Sequence, residues 1–339
     1  MSRPTSLTPR SPVLHHWPAE QGKQLSKVLA KFGHQGEYAV YDADNTIWSG
    51  DLEESLLPYL EMKGVLTRDN IDPSLRLIPF RADESLYSYY SRLCEIDDKV
   101  SYPWIAQVFA GATLGQLKTH VDELFAYGRP IPTNHHDRDV LVDTTVNPPV
   151  IYPGQRELIN RLHQAGIKVY VMTAASEELV RMVVSDPEYG LDIDSENVLG
   201  LTTLLQDPRT GELTTARKQI EEGHFLDDTY TPEKHASMVV TPYLWSPVTT
   251  YVGKQAGILE YVDPYRRPVL VAGDSPSDWH LLFHSDVQRG GARVWVDFKR
   301  AYTDRLEVEK ARRADLQKQA GVTVDAGDGW ITVTPAELQ

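Results

Sequence analysis

Side chains able to do acid–base or ionic chemistry recur along this chain in one order. They are Asp42-Ala43-Asp44-Asn45-Thr46, a lone Thr173, then Lys254, and Gly273-Asp274-Ser275-Pro276-Ser277-Asp278. The first follows the apolar run YAVY, the second follows KVYVM, and the last closes VLVAG. An apolar run that breaks at once into polar groups reads as a buried strand whose carboxyl end opens onto a site. Ligands of open α/β sheets bind outside those ends, so Asp42, Asp44, Asp274 and Asp278 are expected to meet. Bare carboxylates in one place repel and are forced to take up protons. A hard divalent cation removes the conflict. Mg²⁺ is favoured where a few protein carboxylates, waters and a substrate phosphate share the coordination. Each motif alone has a plainer meaning. An Asp after a strand caps a helix or forms a turn, Lys254 reads as a solvated lysine at a helix start, and Thr173 as the N-cap before Ala174-Ala175-Ser176-Glu177. The combination DxDxT, Thr, Lys, GDxxxD, in that order, points to chemistry.

The elements that must position these groups follow from periodicity. Leu25, Val28, Leu29 and Phe32 have helical spacing, as do Leu52, Leu56, Tyr59 and Leu60. PGQRELINRLHQAG from Pro153 is an amphipathic helix ending at Gly166. Helices are also expected at Gln255–Tyr261 and Ser277–Phe283, and strands at Val269–Gly273 and Arg293–Val296. NVLGLTTLLQDPRTGELTT resembles a hairpin turning at Asp207–Gly211. Helices alternating with short β-rich runs imply an α/β fold with a mostly parallel sheet covered on both faces. Residues 63–149 differ. Helical patterns at Glu84–Leu93 and Leu114–Tyr127 without clear strand alternation read as a mostly helical insertion. The first 15 or so residues, rich in Ser, Thr, Pro and Arg, read as a loose tail.

Composition bounds the reading. The 339 residues carry 48 acids against 34 bases, a formal charge of −14, which argues against a nucleic-acid partner. One cysteine supplies neither an internal disulfide nor a Cys-rich metal site. No stretch approaches the ~18 apolar residues of a membrane span. MSRPTSLTPRSPVLHHWPAE lacks an apolar run of signal-peptide length, so the chain is expected to be cytoplasmic, or else the mature form of an exported protein. Nothing in the sequence speaks to oligomeric state.

The ordered motifs resemble those of the haloacid dehalogenase (HAD) phosphohydrolase superfamily, in its phosphoserine-phosphatase-like branch. More narrowly, DLEESLLPYLEMKGVLTRD from Asp51, SRLCEIDDKV from Ser91, ELVRMVVSDPEYG from Glu178 and RRPVLVAGDSPSD are similar to stretches of the phosphorylcholine phosphatase family, as are GLTTLL, TGELTTARKQI and TPYLWSP. The resemblance implies a Rossmann-like core at 16–62 and 150–339, with a helical cap at 63–149 inserted after the first catalytic strand. It also implies roles. Asp42 is then the nucleophile that forms an aspartyl-phosphate, and Asp44 the acid and base. Thr46 braces their loop and counts with Thr173, Ala174 and Lys254 among the phosphate-binding residues. Asp42, Asp274, Asp278 and the Asp44 carbonyl surround Mg²⁺. The implied activity is hydrolysis of phosphorylcholine, with phosphoethanolamine as a second substrate.

Between Asp51 and Ala110 lie 11 acids, 6 bases and eight aromatics. Aromatic faces near carboxylates hold quaternary ammonium groups, which agrees with a small cationic phosphoester. Glu54, Glu53, Tyr102 and Trp104 are the candidates, the last two because they flank Pro103 in an apparent loop. Tyr87, Tyr90 and Leu93 have core spacing, and Glu53 or Glu54 has an alternative partner in a cap lysine or arginine. Three other functions compete. They are a phosphoserine phosphatase using Arg81 or Arg92 for the substrate carboxylate, a broad small-phosphoester phosphatase, and a choline-binding module without catalysis.

Overall fold

The computed structural model describes residues 13–138 and 140–339. Residues 1–12, most of the expected tail, lie outside them. The last three tail residues are not loose, because Leu14 is buried and the His15 N–H donates to Glu157 at 2.8 Å.

The chain opens with α1 (Ala19–Phe32), which buries Leu25, Val28, Leu29 and Phe32, and then β1 (Tyr38–Tyr41), buried at every position. β2 (Trp48–Ser49) and α2 (Leu52–Met62) follow, the helix starting where Asp51 accepts from the Glu54 N–H at 2.9 Å. Next come α3 (Leu86–Ile96), α4 (Asp98–Gln107) and α5 (Leu114–Tyr127), then β3 (Ile131–Asp137), β4 (Val140–Val146) and β5 (Val150–Ile151). The rhythm of strand and helix resumes with α6 (Pro153–Gln164), β6 (Lys168–Ser176), α7 (Glu177–Val184) and β7 (Val198–Leu201). β8 (Thr203–Gln206), β9 (Leu213–Thr214), α8 (Ala216–Glu221), α9 (Pro232–Ser237) and β10 (Val239–Leu244) form a side excursion. The chain ends through α10 (Val252–Tyr261), β11 (Leu270–Gly273), α11 (Trp279–Leu282), β12 (Ala292–Val296), α12 (Arg300–Gln319) and β13 (Trp330–Val333).

Six strands form one parallel sheet in the order β7-β6-β1-β11-β12-β13. The order reverses at β1, with β6 on one side and β11 on the other. That reversal opens a crevice beyond the carboxyl ends of these three strands, where such sheets bind ligands. Alternation along β1 sends Ala39 and Tyr41 into one core and Tyr38 and Val40 into another. Leu25, Leu29 and Leu158 cover the first face, and Ile258, Leu281 and Leu306 cover the second. The sheet is thus sandwiched by helices, as the α/β reading requires. No helix among the described residues is long and apolar enough to cross a membrane.

Several local readings need correction. The stretch 63–149 holds helices α3–α5 but also the antiparallel β3–β4 hairpin, with Ile131 opposite Val146 and Asp137 opposite Val140. The 198–214 segment divides, since β7 joins the parallel sheet while β8 and β9 pair with β10 in a separate three-stranded sheet. The turn at Asp207–Gly211 is as expected, its Gly211 N–H donating to the Asp207 carbonyl at 2.8 Å. β6 runs past Thr173 to Ser176, and Ser176 rather than Thr173 caps α7.

Behind that cap lies a buried ion network. Arg181 pairs with Glu177 at 2.5 Å and Glu178 at 2.7 Å, and His235 Nε2 lies 3.2 Å from Glu178. Burial works to raise the Glu178 carboxyl, but Arg181 and His235 prevail and hold it at about 2, below its ordinary 4.5. The folded value is depressed, so the stabilisation is complete above the unfolded value and is lost as pH falls from ~4.5 toward ~2. The size is about 3 kcal/mol. Thermal melts of wild type and Glu178→Gln should therefore converge by about 2 kcal/mol between pH 5 and pH 3.

Candidate active site

The carboxyl end of β1 sets the first two acids. The Asp42 N–H still donates to the Ala272 carbonyl at 3.0 Å, so Asp42 emerges level with the edge of the sheet. The chain then coils tightly. The Thr46 and Ile47 N–H groups both donate to the Ala43 carbonyl, and Asn45, at φ +56°, exchanges hydrogen bonds with Gly50. This loop carries Asp44 to the same cavity as Asp42. Its Oδ1 accepts from Trp48 Nε1 at 2.7 Å and the Leu52 N–H at 2.9 Å. Burial, then Asp51 and Asp42, push the Asp44 carboxyl well above its usual range. Thr46 has no exposed surface and donates to Asp274 at 2.9 Å, bracing the loop rather than facing the cavity.

The end of β11 sets the other two acids. Asp274 opens into the cavity, while Asp278 turns back beneath it and accepts from the Asp274 and Ser275 N–H groups, both at 3.1 Å. A Cβ on Gly273 would lie 2.7 Å from the Asp278 Cβ, so only glycine lets this carboxylate fold under the strand end. Lys254, on α10, completes the floor with Nζ 2.7 Å from Asp42 and 2.6 Å from Asp278. It is 1% exposed, and despite burial the two carboxylates hold its ammonium above the usual lysine range. One cation among this many buried acids leaves the site short of positive charge. Burial and Asp278 raise the Asp42 carboxyl, and burial, Asp278 and Asp42 raise that of Asp274.

Oxygen atoms of Asp42, Asp274 and Asp278 all lie within 4.8 Å of one another. An all-carboxylate set in which burial raises Asp42 and Asp274, and in which Lys254 is the cation paired with two of the three acids, suits a hard divalent cation. The Asp44 side chain is outside this triad, turned instead toward Trp48.

β6 forms the side wall. Thr173 Oγ1 accepts from the Ala175 N–H at 3.0 Å, and the Thr173 carbonyl accepts from Thr249 Oγ1 at 2.7 Å. Thr173 and Ala174 both line the cavity. Glu53 reaches across from α2 to accept from the Ser176 N–H at 2.9 Å, so it ties the wall in place as well as lining it.

The outer walls are aromatic and acidic, in a cavity of about 260 Å³. Glu54 lies there, hydrogen-bonded by Tyr90, its carboxyl raised by burial and Asp51 to about 8. Tyr102 lines it too, from inside α4 and not from a loop. Trp104 does not. It is buried behind the wall, donating to the Leu75 carbonyl at 2.7 Å and packed on Tyr89 and Tyr90. Arg81 and Arg92 are also elsewhere, one bonded to the Arg138 carbonyl and the other paired with Glu84 at 2.8 Å. Among the further wall residues that escaped sequence reading are Tyr90, Phe298, Lys299 and Tyr302. Helical spacing marked Tyr90 as core, which its burial also satisfies. The others lie where the chain turns from β12 into α12, outside every motif.

A phosphorylcholine phosphatase from Pseudomonas aeruginosa is 53% identical over 331 residues, covering 96% of this chain and 93% of that protein. The chain belongs to the phosphorylcholine phosphatase family. It is accordingly a phosphoric monoester hydrolase of HAD type; membership implies a metal ion, and Asp42, Asp274 and Asp278 are a set that could hold one. The solved structure of a conserved, functionally unknown protein from Anaerococcus prevotii superimposes with a TM-score of 0.58 at 18% identity, covering 88% of this chain and 90% of that one, a likeness of fold alone. No family model matches the chain.

Gly273 provides a test of the floor. Gly273→Ala should displace Asp278 and lower both turnover and divalent-metal affinity by about 10- to 100-fold, as loss of groups that orient metal ligands does. Metal titration followed by calorimetry checks it.

Proposed function

We propose that this chain hydrolyses phosphorylcholine, and phosphoethanolamine beside it, to the alcohol and phosphate through an aspartyl-phosphate. The observation that carries the reading is a single cavity with two chemistries. Its floor holds Asp42, Asp44, Asp274 and Lys254, and its walls hold Glu54, Tyr90, Tyr102 and Tyr302. The floor suits a phosphoryl group and the walls a cationic head group. Residues 63–149 act as a cap over the core pieces 16–62 and 150–339, a division supported by Tyr90, Tyr102 and Ile105 reaching the cavity from that stretch.

Asp42, Asp274 and the Asp44 carbonyl would hold Mg²⁺, with Asp278 completing or orienting the set. The ion supplies charge neutralisation for the phosphoryl oxygens. In the first step a carboxylate oxygen of Asp42 bonds to phosphorus as the ester P–O bond breaks, and Asp44 gives its proton to the departing alkoxide. In the second, Asp44 takes a proton from water, whose oxygen bonds to phosphorus and releases Asp42. The raised carboxyl of Asp44 supports its start as the acid. Lys254 holds the nucleophile against Asp278, while Thr173 and the Ala174 main chain receive the phosphoryl group.

A phosphoserine reading retains one observation in its favour. With Arg81 and Arg92 elsewhere, Lys299 is a base in the wall that can meet a carboxylate. Comparing kcat/KM for phosphorylcholine, phosphoethanolamine and phosphoserine, with and without Mg²⁺, separates the two. The expected order puts phosphoserine last, and a preference for it overturns the choline reading. Asp42→Asn should lose at least ~10⁴-fold in turnover yet still bind choline.

Glu54 adds a pH signature. Below about 8 its carboxyl is mostly neutral in the free pocket, and a cationic head group must expel that proton. KM for phosphorylcholine should therefore fall as pH rises from 6.5 to 8.5, by more than that for p-nitrophenyl phosphate, which lacks a cation. Glu54→Gln should remove this difference.

A further inference from the structure

The loop before α10 touches three parts of the molecule within six residues. Thr249 donates to the Thr173 carbonyl at 2.7 Å, and Lys254 meets Asp42 and Asp278. Between them, the Tyr251 hydroxyl donates to Asp98 Oδ2 at 2.7 Å, and Lys99 Nζ lies 5.6 Å from the Tyr251 ring centroid. Asp98 begins α4, the helix that brings Tyr102 and Ile105 to the cavity.

The backbone at this contact is strained. The Gly253 N–H donates to the Thr250 carbonyl at 2.8 Å and closes a four-residue turn in which Tyr251 has φ +52° and ψ −118°. That is the second position of a type II′ turn, where glycine is the natural occupant. The turn has no slack on its other side, since a Cβ on Gly253 would lie 1.9 Å from the Val248 carbonyl oxygen. A tyrosine persists in such a conformation only where its surroundings hold it, and a hydrogen bond to a carboxylate is of comparable strength to the strain.

We propose that Tyr251 is a positioning residue. Its bond to Asp98 holds the turn in the geometry that aims Lys254 at the floor, and so ties seating of α4 to assembly of the catalytic groups. The inference rests on the role proposed above for Lys254.

The test uses p-nitrophenyl phosphate and phosphorylcholine with the full chain and saturating Mg²⁺. Tyr251→Phe and Asp98→Ala should each lower kcat about 10-fold on both substrates, and the double variant should be no worse than either. Tyr251→Gly, which adopts the turn without strain, should recover kcat to within about 2-fold of wild type on p-nitrophenyl phosphate while raising KM for phosphorylcholine at least 5-fold, because α4 has lost its tie. A packing role predicts instead that glycine is the most damaging of the three. Wild-type kcat in Tyr251→Phe, additive losses in the double variant, or failure of glycine to rescue overturns the proposal. Lys254→Met serves as the control. If it keeps turnover, the underlying mechanism fails, whereas its loss beside a normal Tyr251→Phe defeats this inference alone.

Discussion

The ammonium of Lys254, held between Asp42 and Asp278, is the interaction on which the rest of the site depends. Three carboxylates crowd within 4.8 Å in a buried floor, and this is the positive charge the chain itself brings to them. Removing one partner from such a buried set leaves an uncompensated charge, which is far costlier than losing an exposed ion pair. The surroundings read as provisions for that arrangement. Gly273 makes room for Asp278, Thr46 steadies Asp274, and the Asp278 carboxylate is met by main-chain N–H groups at the end of β11. The remaining shortage of positive charge is what suits the floor to a metal and a phosphate together.

The walls follow a different rule. Burial and the neighbouring Asp51 favour the neutral form of Glu54, against the hydrogen bond from Tyr90. Burial raises the Asp44 carboxyl as well, but its hydrogen bonds from Trp48 and Leu52 fix its direction. Two acids on one short stretch of chain are thus set apart by their environments, as the tasks proposed for them, recognition and proton transfer, require.

How much of this was legible in the sequence depended on whether position along the chain translates into position in space. Parallel strands put their carboxyl ends side by side, so motifs at three strand ends in order located Asp42, Asp44, Thr173 and Asp274. Glu54 was legible because it sits one turn beyond the catalytic loop. Lys299 and Tyr302 were not, because their approach depends on β12 and α12 packing at the sheet edge, and α12 is charged around most of its surface with few buried residues. The β3–β4 hairpin stayed hidden for a related reason. Both its faces are partly exposed, which erases the apolar alternation, and its turn places Arg138 at φ +57° without a glycine to mark it. Trp104 misled through Pro103, which suggested a loop, whereas α4 runs on through it despite the lost internal bond and the crowding of its ring.

The antiparallel pairing of β2 with β5 sets Trp48 opposite Ile151 and Ser49 opposite Val150, and Ser55 adds a bond to the Asn147 carbonyl at 3.0 Å. The intervening hundred residues thus leave the sheet and return to it through a single gate two strands wide. Lengthening a segment pinned in this way adds little closure entropy, since that cost grows only logarithmically with length. What the gate encloses is therefore free to change in length but not in its first helix, because α2 supplies the Leu52 N–H to Asp44 and the Glu53 carboxylate to the Ser176 N–H.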